Sequence, residues 1–247
     1  MPPVLRAFAD GMIFGDAYGA EPSTVLALHG WRRDRSDFRA VLEGLDALAV
    51  DLPGFGASPP PPGAWGGAEY ARALEPVLDQ MSERVVVAGH SFGGRVAVHL
   101  AVTYRDRIAG VMLAGVPLLR VTTPPRSPLS FRLAKALNRV GIVSDERMEE
   151  RRRQAGSSDY RAATGVMRDV FVHLVHETYE TELAQISAPV ELVWGDDDTS
   201  APLLVAHRAA ALIPHPSLTV LPGAGHLTPL TAPDALRDAI ARLLPAS

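Results

Sequence analysis

The 247-residue sequence predicts an α/β protein built on one mostly parallel β-sheet with helices on both faces. Three observations carry that prediction. Short apolar runs rich in β-branched residues recur along the chain, bounded by Gly, Pro or Asp, each of a length that suits a buried strand. Stretches with apolar residues at helical spacing separate them. Strand, helix, strand in repetition is the pattern of parallel strands covered on both sides.

In chain order, residues 5–9 and 12–18 flank Asp10-Gly11, a hairpin-type turn signal, and predict two short strands at the start. Strands are then predicted at 24–28, 47–50, 84–88, 108–114, 190–194 and 218–221. Helices are predicted at 68–81, 92–104, 202–213 and 233–244, with Pro202 and Pro233 near the first-turn positions that proline tolerates. The Pro59 to Pro62 run reads as a stiff surface loop. The rhythm breaks between Pro117 and Ser187. That segment opens proline-rich (Pro117, Pro124, Pro125, Pro128) and continues with an apolar stripe of Val166, Met167, Val170, Phe171, Leu174, Val175 and Thr178 at spacings of three and four, the signature of an amphipathic helix. The expected organisation is a main domain of residues 1–116 and 188–247 with residues 117–187 inserted. Arg151-Arg152-Arg153 follows Glu149 and Glu150 at helical pairing distance and reads as a solvated helix face.

Composition narrows the function. Hydrophobic residues are 47% and charged residues 21%, ordinary globular usage. A net charge of -4 provides no electrostatic footprint for a phosphate backbone, so nucleic acid is not an expected partner. The absence of cysteine excludes a disulfide framework, a thiolate zinc site and a cysteine nucleophile. Residues 1–19 hold no apolar run long enough for a signal peptide or membrane span, so a soluble, cytoplasmic monomer or homodimer without a membrane partner is expected.

The chemistry concentrates at Gly89-His90-Ser91-Phe92-Gly93, a Gly-x-Ser-x-Gly motif set directly after an apolar strand and directly before a helix. A serine on so sharp a turn holds its hydroxyl clear of the backbone, and the chain passes on each side only where the flanking residues lack a Cβ. A serine hydroxyl alone is a weak nucleophile at neutral pH and requires an imidazole base oriented by a carboxylate. Both follow in the sequence. Trp194-Gly195-Asp196-Asp197-Asp198 succeeds one late strand, and Gly223-Ala224-Gly225-His226 succeeds the last. Loops at the carboxyl ends of parallel strands meet above one edge of the sheet, which brings Ser91, an aspartate and His226 within reach of one another.

Over nearly its whole length the chain resembles the α/β-hydrolase superfamily, on five motifs in register: His29-Gly30-Trp31, Asp51 through Ser58, the elbow at Ser91, Gly195 to Asp198, and Gly223 to His226. The resemblance implies the α/β-hydrolase fold, a mostly parallel eight-stranded sheet with helices on both faces and an inserted helical cap. It implies Ser91, Asp198 and His226 as catalytic triad, with Asp196 and Asp197 as loop residues. The backbone N–H groups of Trp31 and Phe92 become the expected oxyanion hole, and their side chains walls of the acyl pocket. His29 and Asp51 become scaffolding, His90 the variable residue of the elbow, and His99 a packed residue on the helix behind it. The apolar stripe, with Met167 and Phe171 foremost, is expected to roof the pocket opposite Trp31. His173, His176 and Glu177 look superficially metal-like but match no metalloprotease spacing, so neither metal nor cofactor is expected.

A serine at the elbow disfavours dehalogenases and epoxide hydrolases, which resemble this architecture but place aspartate there. Arg32 stands where perhydrolase-like relatives often carry proline. The expected activity is hydrolysis of a carboxylic ester of a small, apolar acyl or alkyl group through an acyl-enzyme, carboxylesterase-like in class. Thioesters and carbon-carbon bonds of β-diketone type are the rivals that share the triad, and a non-catalytic small-molecule receptor is the alternative of another class.

Overall fold

Eight strands, β1 (Val4–Phe8), β2 (Ile13–Tyr18), β3 (Val25–Leu28), β4 (Ala47–Asp51), β5 (Val85–His90), β6 (Ile108–Ala114), β7 (Val190–Gly195) and β8 (Pro216–Leu221), form one sheet. The coordinates are a computed structural model that describes residues 3–120 and 158–245. Strand order is β1-β2-β4-β3-β5-β6-β7-β8, and only β1 with β2 and β2 with β4 run antiparallel. The Asp10-Gly11 signal turns β1 into β2 through Ala9–Gly11, where Asp10 takes φ 54°. Pro124, Pro125 and Pro128, and the Glu149 to Arg153 charge run, lie outside the described residues.

Side chains of the parallel strands alternate between two cores, as the twofold period of a strand requires. Val85 and Val87 of β5 join the larger core with Leu26 and Leu28 of β3, while Val86 and Ala88 join the other with Val25 and Ala27. The larger core packs under α3 (Phe92–Thr103), which follows β5, and the other under α9 (Pro233–Leu243), whose Leu236, Ala239, Ile240 and Leu243 are buried.

One predicted helix divides. Residues 68–81 form α1 (Gly67–Ala73) and α2 (Glu75–Leu78), with Leu74 between them. Pro76 has no N–H to offer the carbonyl four residues back, so the ladder breaks there. The helices predicted at 202–213 and 233–244 appear as α7 (Leu203–Leu212) and α9 within a residue or two of their expected ends; α8 (Thr228–Thr231) is a single turn after His226.

Between β6 and β7 the described residues include α4 (Ser158–Ala162), α5 (Gly165–Leu174) and α6 (Glu180–Gln185). Of the predicted stripe, Val170 and Leu174 are buried, Val166, Met167 and Phe171 half-buried, and Val175 and Thr178 exposed. Among the described residues no helix is long and apolar enough to cross a membrane.

Strand order reverses about β3. The chain steps from β3 to β4 on one side, then passes back over β3 to β5 on the other. In an open α/β sheet such a switch point leaves a crevice beyond the carboxyl ends of the two strands that flank it, because their loops lead away in opposite directions. Here those loops begin at His29 and at Ser91.

A buried ionic brace supports the first of them. Asp51, fully buried at the end of β4, accepts from the backbone N–H of Arg35 at 2.8 Å and of Ala57 at 2.7 Å, and pairs with the Arg35 guanidinium. The same guanidinium meets Asp16 of β2 at 2.9 Å. Removing one partner of a buried pair leaves an uncompensated charge. Arg35→Met is therefore expected to lower the unfolding free energy in urea by about 3 kcal/mol; a loss under about 1 kcal/mol would show that the backbone donors alone satisfy Asp51.

Candidate active site

β5 ends at His90, and Ser91 turns the chain into α3 with φ 49° and ψ -113°, outside the regions that L-residues ordinarily adopt. Surrounding contacts hold it there. The Ser91 N–H donates to Ala114 O of β6 at 3.0 Å, and the Gly93 N–H donates to His29 O at 3.0 Å. A Cβ on Gly93 would sit 2.2 Å from Leu28 O, and one on Gly89 would sit 2.5 Å from Gly94 Cα. The two glycines of the motif thus let the helix pass both its own strand and β3.

The other two predicted residues reach the serine. His226 Nε2 lies 3.0 Å from Ser91 Oγ, and His226 Nδ1 lies 2.8 Å from Asp198 Oδ2. The carboxylate accepts, so Nδ1 carries the proton and the Nε2 lone pair faces the hydroxyl. Asp198 is buried, and its other oxygen accepts from the N–H groups of Ser200 and Ala201, both at 2.8 Å. Asp196 and Asp197 are exposed; Asp196 braces the next loop by accepting from Gly223 N at 2.7 Å.

Phe92 is the first residue of α3, and the first N–H groups of a helix have no intrahelical acceptor. Trp31 follows β3 at the switch point, with its ring packed against Phe55, Phe92 and Phe171 at centroid distances of 5.0, 5.6 and 5.2 Å. The fully buried His29 ties the loops after β3 and β4 together, donating from Nδ1 to Gly30 O at 2.8 Å and accepting from Leu52 N at 3.0 Å. Burial pushes its pKa down and keeps it neutral, as that pairing requires.

A cavity of about 260 Å³ opens above Ser91 and His226. Trp31, Phe92, Phe171, Leu174 and Val175 form its apolar walls, and Arg95, Asp159 and Ser200 are its other polar lining. Of the expected substrate contacts, Trp31 and Phe171 face it and Met167 does not. Met167 lies one helical turn before Phe171 and covers Gly54 instead, where a Cβ would meet its Sδ at 2.3 Å. The cavity touches only the C-terminal end of α5, so the stripe divides into a part that walls the cavity and a part that packs.

The remaining histidines go elsewhere. His99 packs edge-on against Tyr179, with centroids 5.3 Å apart. His173 donates to Ala64 O at 3.1 Å, and Glu177 accepts from Gly67 N at 3.1 Å at the start of α1 and from the Tyr179 hydroxyl, so two members of the metal-like trio are engaged elsewhere. Among the described residues no group of three or more His, Asp and Glu is arranged to hold a metal.

Two residues escaped the sequence reading. His90, buried inside the elbow, donates from Nε2 to His226 O at 2.8 Å and so holds the loop that carries the base. No spacing rule marks it, since its partner lies 136 residues away. Arg95, one turn beyond Ser91, lines the cavity. Its signal was available: a lone arginine on a helix whose neighbours Val96, Ala97, Val98 and Leu100 are all apolar.

Comparison with known proteins places the chain in context. The description "Alpha/beta hydrolase family" matches residues 25–239. A 2-hydroxy-6-oxononadienedioate/2-hydroxy-6-oxononatrienedioate hydrolase of Cupriavidus pinatubonensis is 29% identical, covering 84% of this chain and 82% of the relative. Among solved structures, a hydrolase from Pseudomonas aeruginosa superposes with TM-score 0.70 at 24% identity, covering 99% of this chain and 98% of that one. A thermophilic esterase from Thermogutta terrifontis superposes with TM-score 0.66 at 24% identity over 98% and 97%. At such identities the structural likeness speaks to the fold.

His90 makes the stability of this site pH-dependent. Burial first, and the neighbouring His226 second, lower its pKa to about 4. A histidine whose folded pKa lies below its unfolded value of about 6.5 costs nothing above that value, where both states are neutral, and destabilises the fold as pH drops from there to about 4. The unfolded chain takes up the proton that the folded chain refuses. His90→Gln, which keeps a donor for His226 O, is expected to remove about 3 kcal/mol of the stability lost between about pH 6.5 and 4. Parallel urea titrations of both proteins over that range check it; superimposable acid limbs would count against a buried neutral His90.

Proposed function

The chain belongs to the alpha/beta hydrolase family, and on that premise we propose that it is a serine hydrolase acting on a carboxylic ester through an acyl-enzyme. The observation that carries this reading is the unbroken line from Asp198 Oδ2 to His226 Nδ1 at 2.8 Å and from His226 Nε2 to Ser91 Oγ at 3.0 Å, opening on the cavity. Both links fall within the reach that proton transfer needs.

In the proposed cycle the Ser91 hydroxyl proton passes to His226 Nε2 as Oγ bonds to the substrate carbonyl carbon. The negative charge that builds on the carbonyl oxygen is received, in this reading, by the backbone N–H groups of Trp31 and Phe92, the kind of fixed donor that needs no reorientation during reaction. As the carbonyl re-forms, His226 delivers the proton to the departing alkoxide. Water then enters, loses a proton to His226 and attacks the acyl carbon; Ser91 leaves with that proton. Asp198 fixes the imidazole tautomer and stabilises the imidazolium formed twice in the cycle.

Carbon-carbon bond hydrolysis is the second reading, and one observation favours it: the Cupriavidus relative is a hydrolase named for an oxo-dienedioate and trienedioate. The same triad would serve, with the leaving group a stabilised carbanion that takes its proton on carbon. Parallel assays with p-nitrophenyl esters, acyl thioesters and β-diketones separate the readings. A protein of this fold that bound the same compounds without turnover would be a receptor.

Ser91→Ala is expected to lower ester turnover on the order of a million-fold, the loss seen when a triad nucleophile is removed, with little change in melting temperature. Residual activity above about a tenth of wild type would remove Ser91 from the mechanism. Asp198→Asn is expected to cost far more than Asp196→Asn or Asp197→Asn; the reverse order would reassign the acid. Phe171→Ala is expected to shift the preferred p-nitrophenyl ester toward a bulkier chain, as burial of each methylene is worth roughly 0.8 kcal/mol. An unchanged chain-length profile with lowered stability would give Phe171 a packing role alone.

A further inference from the structure

Arg95 lies four residues beyond Ser91 on α3 and shares the cavity with it. Three of its five N–H groups are spent on backbone carbonyls: Nε and one Nη2–H on Pro117 O at 3.2 and 2.8 Å, and one Nη1–H on Leu174 O at 2.6 Å. The Tyr179 ring lies beneath the guanidinium at 5.8 Å. These contacts hold the group rigidly, yet they are neutral. Among the described residues Arg95 forms no ion pair with any carboxylate. Glu177, whose field reaches it, turns its oxygens to Gly67 N and the Tyr179 hydroxyl. Asp159, the acid among the described residues that line the cavity, is half-exposed and paired with Arg32 at 3.4 Å.

A cation taken largely out of water without a counter-charge is costly, and clamping two carbonyls could be done by a neutral donor at less cost. Two N–H groups, one on each Nη atom, are left over from those bonds on a side chain that lines the cavity, and a guanidinium can offer such a pair to a carboxylate as a fork. The rest of the lining is apolar apart from Ser91, His226, Ser200 and Asp159.

We propose that the counter-charge comes from the substrate: Arg95 receives a carboxylate carried by the compound whose scissile carbonyl sits at Ser91, so the substrate is an anionic ester or oxo acid with a short apolar spacer. This rests on the hydrolytic reading of the same cavity and narrows it. Arg95 then determines specificity, acting on the bound molecule through its charge, while α3 sets its backbone four residues, about 6 Å of rise, beyond Ser91.

The test compares matched pairs. The p-nitrophenyl hemiester of adipate is set against p-nitrophenyl hexanoate, and 4-butyryloxybenzoate against phenyl butyrate, so that the carboxylate sits on the acyl side in one pair and on the leaving group in the other. Wild type is expected to favour the anionic member of at least one pair in kcat/KM. Arg95→Met is expected to lower that anionic-to-neutral ratio by about tenfold or more, the lower end of what a charge-assisted hydrogen bond contributes, and Arg95→Lys to restore part of it. A general loss of folding or positioning lowers both members together and leaves the ratio unmoved. In the Ser91→Ala protein, calorimetric titration with adipate and with benzoate reads binding without catalysis, and adding Arg95→Met is expected to weaken whichever binds.

Preference for the neutral member of both pairs in wild type, or a ratio that Arg95→Met leaves unchanged, overturns the proposal and makes Arg95 a clamp only; the wild-type measurement decides even if the variants fail to fold. Failure of the hydrolytic reading looks different: none of the four esters is turned over. In that case Arg95-dependent binding in the Ser91→Ala protein still upholds the anion site, and its absence removes it.

Discussion

The start of α3 passes the end of β3 so closely that a single added Cβ at position 93 would fall 2.2 Å from the Leu28 carbonyl oxygen, and most of the site follows from that approach. Only a chain turning within one residue can leave β5, clear its neighbour strand and begin a helix there. Ser91 is that residue, and its φ of 49° is what the turn demands. A non-glycine residue in such a conformation costs of order 1–3 kcal/mol, so it persists only where its surroundings over-determine it. They do so through Ser91 N to Ala114 O on β6 and Gly93 N to His29 O after β3, both at 3.0 Å. In return the hydroxyl projects from the backbone, and the Phe92 N–H at the head of the helix is left without an intrahelical acceptor.

Rigidity of the remaining parts comes from hydrogen bonds made by buried polar groups. Three imidazoles of this region each make a bond that defines their protonation: His29 between Gly30 O and Leu52 N, His90 on His226 O, and His226 between Asp198 and Ser91. Burial holds the first two neutral. That neutrality matters for the third, because a cationic neighbour would oppose the positive charge His226 must carry when it takes a proton. Asp198 is treated differently. Two backbone N–H groups at 2.8 Å and the imidazole keep it a fixed acceptor, whereas Asp196 two residues earlier spends its carboxylate on a loop amide.

How much of this was legible from the sequence depends on whether a feature is local. Strand and helix positions were, because periodicity and punctuation act over a few residues; Pro76 shows the limit, since the apolar spacing continued through a proline that divides the helix in two. The elbow was legible because Gly89 and Gly93 are required by contacts next to the serine. Placing Asp198 above Asp196 rested on motif register, and the structure brings Asp198 to His226. The stripe on α5 could not be divided from sequence alone: Met167 and Phe171 occupy equivalent helical positions, and only the placement of the loop around Gly54 and of Trp31 sends one to packing and the other to the cavity. His90 depends on a contact 136 residues away in sequence, which no local pattern reports, whereas Arg95 stands out locally as a lone arginine among apolar residues and only its partner at Leu174, 79 residues away, is hidden.

The central claim is that Ser91 Oγ is the atom that becomes covalently bonded to substrate. Treatment with a fluorophosphonate, followed by intact-mass measurement and peptide mapping, addresses it directly, because the reagent traps an activated serine as a stable phosphonyl ester. One adduct per chain, located on Ser91, blocked by prior binding of a slow ester and strongly slowed in His226→Ala, is the expected result. An adduct on another residue, or an unmodified Ser91 in a preparation that still hydrolyses esters, would contradict it.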